Sequence, residues 1–134
     1  MLRCVGERLQ LAQTLEPALE VLSVVQSCAE PGLAHLSMGK RDVSYDLDLP
    51  VPLWRAQPAD TQTQSVPSHW RVVALNDQHA HLRYDASSPV AEHPRVGQIV
   101  GSGISHPCTT FDKWRWMPVV DEAYRVIDAI TIHC

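Results

Sequence analysis

The sequence predicts a mainly β protein, an antiparallel β-barrel or sandwich with short helical turns. About six or seven short segments are rich in β-branched and aromatic residues, and turn-forming glycine, proline, asparagine or aspartate separates most of them. With 134 residues, the chain is long enough for one hydrophobic core. We therefore expect a single β domain.

The first predicted strands form a hairpin. β-Branched residues are frequent over 18–26, residues 27–32 end in Pro-Gly, and residues 33–38 return as the second strand. The segment 45–68 contains several prolines and few periodic apolar positions. It is expected to form a long irregular connection anchored by Trp54.

The remaining predicted strands lie at 70–75, 81–84, 96–100, 116–120 and 124–132. Gly101 and Gly103 are expected to close the third of these strands, and apolar residues alternate in the last. Residues 1–15 carry a weak helical pattern that stops before Pro17. We expect an N-terminal extension or a remnant of a preceding domain there, with the β domain over 16–134.

Composition and charge exclude several classes of protein. Apolar residues make up 45% and charged residues 19% of the chain, which is typical of soluble globular proteins. The net charge of −4, with scattered Lys and Arg, disfavours nucleic-acid and membrane partners. No apolar run approaches the roughly 20 residues of a membrane span. Charges near the N-terminus argue against a secretion signal, so we expect a cytoplasmic protein.

The strongest candidate for chemistry is His106-Pro107-Cys108. Imidazole and thiolate are ligands that zinc prefers, and Pro107 restricts the backbone between them. Zinc usually takes four ligands, so two residues are half of a site. The alternative is a surface turn with a partly buried thiol that packs as a small apolar group. The cysteines, at positions 4, 28, 108 and 134, have no CxxC spacing and are expected to be free thiols.

Other polar segments have both a functional and a structural interpretation. The segment 76–81, with Gln78 and His79, is either a site for metal or proton transfer or a polar hairpin tip. The run 40–42 either binds an anion or forms a solvated turn. His133 and Cys134 are a conceivable second ligand pair, but adjacent residues of a strand point to opposite faces. No phosphate-binding loop or serine-hydrolase elbow is present.

Five blocks of the sequence resemble one enzyme family in their order and approximate spacing. They are Gly-Lys-Arg-Asp-Val-Ser-Tyr-Asp at 39–46, Leu-Asn-Asp-Gln-His at 75–79, His-Pro-Cys-Thr-Thr-Phe at 106–111, Val-Val-Asp at 119–121 and Val-Ile-Asp at 126–128. Together they resemble the C-terminal domain of eukaryotic-type D-serine dehydratases, related amino-acid deaminases and D-threonine aldolases. The likeness covers about residues 16–132.

The resemblance implies a zinc site and a cofactor. Enzymes of this family have an alanine-racemase-like organisation, in which a (β/α)₈ barrel carries pyridoxal phosphate on a lysine and a C-terminal β domain carries a His-x-Cys or His-x-Asp metal pair. It implies that His106 and Cys108 bind zinc, and Cys at the second position is more similar to the dehydratases and deaminases. Zinc would polarise the substrate β-hydroxyl and the cofactor would stabilise the Cα carbanion, converting D-serine to pyruvate and ammonia.

The chain departs from the family pattern because it has no room for the barrel, which needs more than about 200 residues. Its lysines, Lys40 and Lys113, do not lie where the resemblance places the Schiff base. We therefore expect the barrel in cis or in trans, a D-3-hydroxy amino acid as substrate, a dimeric full enzyme, and a chain that is inactive alone.

The resemblance places Lys40, Asp42 and Gln78 near the site, and His79 near the site or a subunit interface. Three alternatives stay open: a noncatalytic β domain for protein association, as a truncated relic or a trans subunit; a D-threonine-aldolase-type lyase domain; and a small metalloenzyme that uses His79, His106 and Cys108.

Overall fold

The fold is mainly β and antiparallel, as predicted. The computed structural model describes residues 18–60 and 62–133. Within them the strands are β1 (Glu20–Glu30), β2 (Leu33–Leu36), β3 (Val51–Ala56), β4 (Gln64–Ser65), β5 (Arg71–Leu75), β6 (Ala80–Arg83), β7 (Ile99–Gly103), β8 (Trp116–Val120) and β9 (Val126–Thr131). A 3-10 turn covers Val90–Glu92, and the short helix α1 covers Pro107–Phe111. The helix predicted over 1–15 lies outside the described residues.

Seven strands form one sheet that curves into a half-barrel. Their order is β4-β3-β7-β1-β2-β6-β5, and every neighbouring pair is antiparallel. Along β1, Val21 and Val25 are buried in the core, whereas Leu22 and Val24 are exposed on the opposite face. β8 and β9 form a separate two-stranded ribbon. No helix in the described part of the chain is long and apolar enough to cross a bilayer.

The register brings three strand ends to one edge of the sheet. Leu36, the last residue of β2, pairs with the first residue of β6, which also pairs with the last residue of β5. Gly103, the last residue of β7, pairs with the first residues of β1 and β3. The connections after β2, β5 and β7 therefore all leave the sheet at the same edge.

The predicted hairpins are present, but the segment 45–68 was wrongly predicted to be irregular. It contains β3 and β4, and Trp54 is buried within β3. Prolines are tolerated because β4 pairs only with Trp54 and Arg55, and a register irregularity lies between Pro52 and Trp54. Because β4 covers only part of β3, fewer N–H groups of β3 have to donate hydrogen bonds on that side, and a proline can be accommodated.

The prediction for the seventh strand was shifted toward the N-terminus. β7 begins at Ile99 and contains Gly101 and Gly103, which were expected to end it. Gly101 lies within the sheet. Only glycine fits at this position, because a Cβ atom would overlap the indole ring of Trp54. Trp54 and Gly101 are paired in register, so the indole covers the glycine from the neighbouring strand.

The turn of the β8–β9 ribbon is fastened to the sheet by a carboxylate. Glu20 Oε2 accepts hydrogen bonds from Trp54 Nε1 at 2.8 Å and from the Tyr124 hydroxyl at 2.9 Å. The two aromatic rings lie 4.5 Å apart between centroids. Tyr124 has a φ of 58°, which is uncommon for a non-glycine residue. Burial, together with the hydrogen bond to Glu20, raises its pKa to about 12.

Substitution of Gly101 by alanine tests the contact with Trp54. We expect Gly101→Ala to lower the free energy of unfolding by about 1–3 kcal/mol, because the new methyl group must displace the indole. Urea denaturation followed by tryptophan fluorescence measures this change. Ser102→Ala is the matched control, because the buried Ser102 hydroxyl has no hydrogen-bond partner in the structure. Equal stability of the two variants would contradict the proposed packing.

Alkaline titration tests the attachment of Tyr124. The pKa rises from an ordinary value of 10 to about 12, so the folded state holds the phenolic proton more tightly than the unfolded state does. This contribution to stability is present below pH 10 and is lost as the pH rises through about 12. We expect Tyr124→Phe to remove the phenolate absorbance transition near that pH. A transition that persists unchanged in this variant would contradict the assignment.

Candidate functional site

The candidate site lies at the edge of the sheet where the connections after β2, β5 and β7 meet. These connections are 37–50, 76–79 and 104–115. They contain the candidate site residues Lys40, Asp42, Gln78, His79, His106 and Cys108. Connections held on a rigid sheet are a common location for binding residues. The edge thus gathers side chains that are far apart in sequence.

A close backbone approach joins the first two connections. The Lys40 amide donates to the Asn76 carbonyl at 2.9 Å, and the Arg41 amide donates to the Asp77 carbonyl at 3.1 Å. A Cβ atom on Gly39 would overlap the Asp77 carbonyl, so only glycine fits at this position. The Gly39 amide donates to Asp42 Oδ2 at 2.8 Å, which fixes the turn that follows.

An open cleft of about 470 Å³ lies where these connections meet. Its lining residues are Lys40, Arg41, Asn76, Asp77, Gln78 and His79. The structure therefore brings together Lys40, Gln78 and His79, which the resemblance placed near the site. Asp42 holds the turn at Gly39, beside the cleft, by accepting the hydrogen bond from the Gly39 amide.

His106 is held by a carboxylate from the first connection. His106 Nδ1 lies 2.6 Å from Asp46 Oδ2, and the Thr109 hydroxyl donates to Asp46 Oδ1 at 3.2 Å. The hydrogen bond with His106 is the main cause that holds the pKa of the Asp46 carboxyl below its usual value. An ionised carboxylate only accepts hydrogen bonds, so the imidazole donates from Nδ1. Nε2 is left as its second nitrogen.

Cys108 lies in the first turn of α1, two residues from His106, and its thiol is free and exposed. The helix is tied to the first connection by the Ser44 amide, which donates to the buried Thr110 Oγ1 at 2.9 Å. Cys28 is also a free thiol, but burial raises its pKa and its Sγ contacts the Pro94 carbonyl. Cys4 and Cys134 lie outside the described residues.

Aromatic and cationic side chains link the connection 104–115 to the connection 37–50. Trp114 Nε1 donates to the Asp42 carbonyl at 2.8 Å. The Lys40 and Lys113 ammonium groups lie 5.5 and 5.8 Å from the centroid of the Tyr45 ring. Both lysines of the chain are therefore at this edge, in contact with an aromatic face.

The described residues contain no group of three or more His, Cys, Asp or Glu side chains placed to hold a metal ion. The interpretation as a self-contained metalloenzyme was therefore wrong, because His79 does not join His106 and Cys108 in one ligand set. His133 is exposed beyond β9. Within the described residues, the pair His106 and Cys108 offers two donor atoms.

Asp46 is the residue at this site that the sequence reasoning missed. It is part of the block 39–46, but nothing in the sequence connected it with His106, which is 60 positions away. Thr109 and Thr110 were overlooked for the same reason. These residues meet because the connections after β2 and β7 leave the sheet at one edge. That proximity can be inferred only when the strand order is known.

Comparison with known proteins places this edge in a family. Residues 18–120 match the family model described as "Putative serine dehydratase domain". The chain belongs to this family. Members of this family are in general dependent on pyridoxal phosphate. No curated protein sequence matches the chain significantly.

A solved structure supports the fold assignment of this serine dehydratase domain. The D-threonine aldolase from Filomicrobium marinum superposes with a TM-score of 0.69 at 21% sequence identity. The match covers 90% of this chain and 29% of the aldolase chain. The chain thus spans less than a third of the length of that protein, and at this identity the likeness concerns the fold alone.

Proposed function

We propose that the chain is the zinc-bearing C-terminal domain of a pyridoxal-phosphate-dependent D-amino-acid dehydratase, of the type that converts D-serine to pyruvate and ammonia. The observation that carries this proposal is the His106–Asp46 contact beside Cys108, at the edge that also holds the cleft of Lys40 and His79. Membership of the serine dehydratase family supports the reaction class.

The donor chemistry of the pair fits zinc. Zinc binds imidazole nitrogen and thiolate sulfur, and catalytic zinc sites keep coordination positions open for water and substrate. His106 has its Nδ1 occupied by Asp46, which leaves Nε2 as a donor, and the Cys108 thiol is exposed. Histidine ligands of metals commonly donate their other ring N–H to a carboxylate. Two protein donors suit a site that the substrate completes.

Bound zinc would polarise the β-hydroxyl of the substrate, and bound pyridoxal phosphate would stabilise negative charge at Cα. The residues of this chain have the task of binding and orienting. Lys40 and Arg41 bring positive charge to the cleft, which suits a carboxylate, and Gln78 and His79 add hydrogen-bonding groups. Asp46 and Thr109 hold the imidazole that would face the hydroxyl.

The remaining parts of the active enzyme belong to a partner domain. The coverage of 29% of the aldolase chain supports a (β/α)₈ domain, in cis or in trans, that carries the Schiff-base lysine. We assign 16–134 to the β domain and 1–15 to an extension or remnant. The proposal includes a dimeric full enzyme in the cytoplasm, a D-3-hydroxy amino acid as substrate, and no activity of this chain alone.

Product analysis distinguishes the dehydratase from the aldolase alternative when the chain is joined to a pyridoxal-phosphate domain. A dehydratase releases a 2-oxo acid and ammonia from D-serine, whereas an aldolase releases glycine and an aldehyde from D-threonine. Cysteine at position 108 favours the dehydratase, on the resemblance to that branch.

Zinc binding by the purified chain tests the proposal. We expect wild-type protein to bind zinc, and His106→Ala or Cys108→Ala to lose more affinity than the roughly 10–100-fold typical of removing an outer-shell partner, because each removes a donor atom. Competition with a chromophoric chelator measures the affinity. Cys28→Ala is the matched control, since Cys28 is a free thiol in contact with the Pro94 carbonyl. Equal affinity of Cys108→Ala and Cys28→Ala would contradict the proposal.

A noncatalytic role in protein association is a second candidate, and it is favoured by the β8–β9 ribbon. Its large apolar side chains are exposed, with 58% for Trp116, 67% for Val126, 65% for Ile127 and 51% for Ile130. A two-stranded ribbon is marginally stable on its own, so a covering partner would stabilise it. The same surface would serve a docked domain in the dehydratase.

Charge substitution in β9 tests this association surface. We expect the wild-type chain to self-associate at raised concentration, and Ile127→Lys with Ile130→Lys to abolish association, because it places charge on both faces of the strand. Size-exclusion chromatography with light scattering measures the mass. Val90→Lys, at a residue that is 73% exposed on the 3-10 turn, is the control. A wild-type chain that stays monomeric at every concentration would contradict this role.

A further inference from the structure

We propose that Asp46 is a positioning residue that holds His106 in the tautomer protonated at Nδ1. In this tautomer the lone pair on Nε2 is available to bind a metal ion. The metal-binding consequence rests on the proposed zinc function, whereas the tautomer is a property of the chain itself. Nothing in the sequence motif around His106 indicates this role, because Asp46 lies 60 positions away.

The proton between His106 and Asp46 determines which tautomer the imidazole adopts. Asp46 Oδ2 and His106 Nδ1 are 2.6 Å apart, a distance that requires a hydrogen between them. The carboxylate has no hydrogen to give, so the proton is on Nδ1. In neutral imidazole the other nitrogen then carries a lone pair, and Nε2 is ready to bind a metal ion or accept a proton. Without such a partner, the histidine side chain favours the opposite tautomer.

Asp46 is itself held in place by a hydroxyl group of α1. The Thr109 hydroxyl donates to Asp46 Oδ1 at 3.2 Å, so the two carboxylate oxygens have different partners and the carboxylate plane is fixed. The Ser44 amide donates to Thr110 Oγ1, and both of these residues are buried. Because Thr109 and Thr110 lie on α1 with Cys108, the same contacts that orient the imidazole also place the thiol.

The exposure of the His106–Asp46 pair distinguishes a positioning role from a stabilising one. The His106 and Asp46 side chains are 32% and 45% exposed. Ion pairs with this exposure contribute little to folding, since water screens them. Loss of Asp46 is therefore expected to change the tautomer and the donor direction of His106 while the folded state remains. If Asp46 only stabilised the fold, its loss would lower the stability of the chain and leave the tautomer of His106 unchanged.

The test is long-range ¹H–¹⁵N correlation spectroscopy of the zinc-free, ¹⁵N-labelled chain at about pH 8.5, where imidazole side chains are neutral. We expect His106 to be protonated at Nδ1 in the wild type and mainly at Nε2 in Asp46→Ala. Thr109→Val, which removes the second contact of Asp46, is expected to shift the tautomer in the same direction by a smaller amount. Asp112→Ala removes an equal charge at the end of α1 and is expected to change nothing.

Two outcomes would overturn the proposal: a wild-type His106 protonated at Nε2, or a tautomer that stays the same in both Asp46→Ala and Thr109→Val. In zinc titrations, Asp46→Ala is expected to lower the affinity about 10–100-fold, and Asp112→Ala is expected to match the wild type. Absence of zinc binding by the wild type would instead contradict the proposed zinc function, because the tautomer measurement contains no metal. Urea denaturation of Asp46→Ala should give a midpoint close to that of Asp112→Ala.

Discussion

The geometry of the candidate site depends on the absence of a side chain at Gly39. With hydrogen alone at this position, the turn after β2 lies directly against the carbonyl of Asp77, and two backbone hydrogen bonds join the connections after β2 and β5. Asp42 closes the same turn through the Gly39 amide. These contacts fix the backbone that leads to Asp46.

The sheet and its connections have separate tasks. Register brings the ends of β2, β5 and β7 to one edge, so side chains that are distant in sequence meet there. The cleft, the His106–Asp46 contact and the Cys108 thiol all lie on these connections. The ribbon turn is held at the same edge by Glu20, Trp54 and Tyr124. This arrangement fits the proposed role of the chain as a domain that completes the active site of a larger enzyme.

Local sequence patterns predicted the β class and most strands, because alternation and turn chemistry act over a few residues. The hairpins of β1–β2 and β5–β6 are examples. β3 was missed because Pro52 would disrupt a fully paired strand, whereas β4, its neighbour on one side, is only two residues long. The role of Gly101 depends on Trp54 in a neighbouring strand, and that of Asp46 on His106, so neither could be inferred without the register. His106 and Cys108 could be singled out because they lie two residues apart in the sequence.

The proposed function requires that His106 and Cys108 bind one zinc ion together. X-ray absorption spectroscopy of the zinc-loaded chain measures this directly, with Cys4, Cys28 and Cys134 replaced by alanine so that Cys108 is the sole thiol. The account predicts one sulfur at about 2.3 Å, imidazole nitrogen at about 2.0–2.1 Å, and lighter atoms in the remaining positions. A first shell made of oxygen and nitrogen alone, with no sulfur, would contradict it.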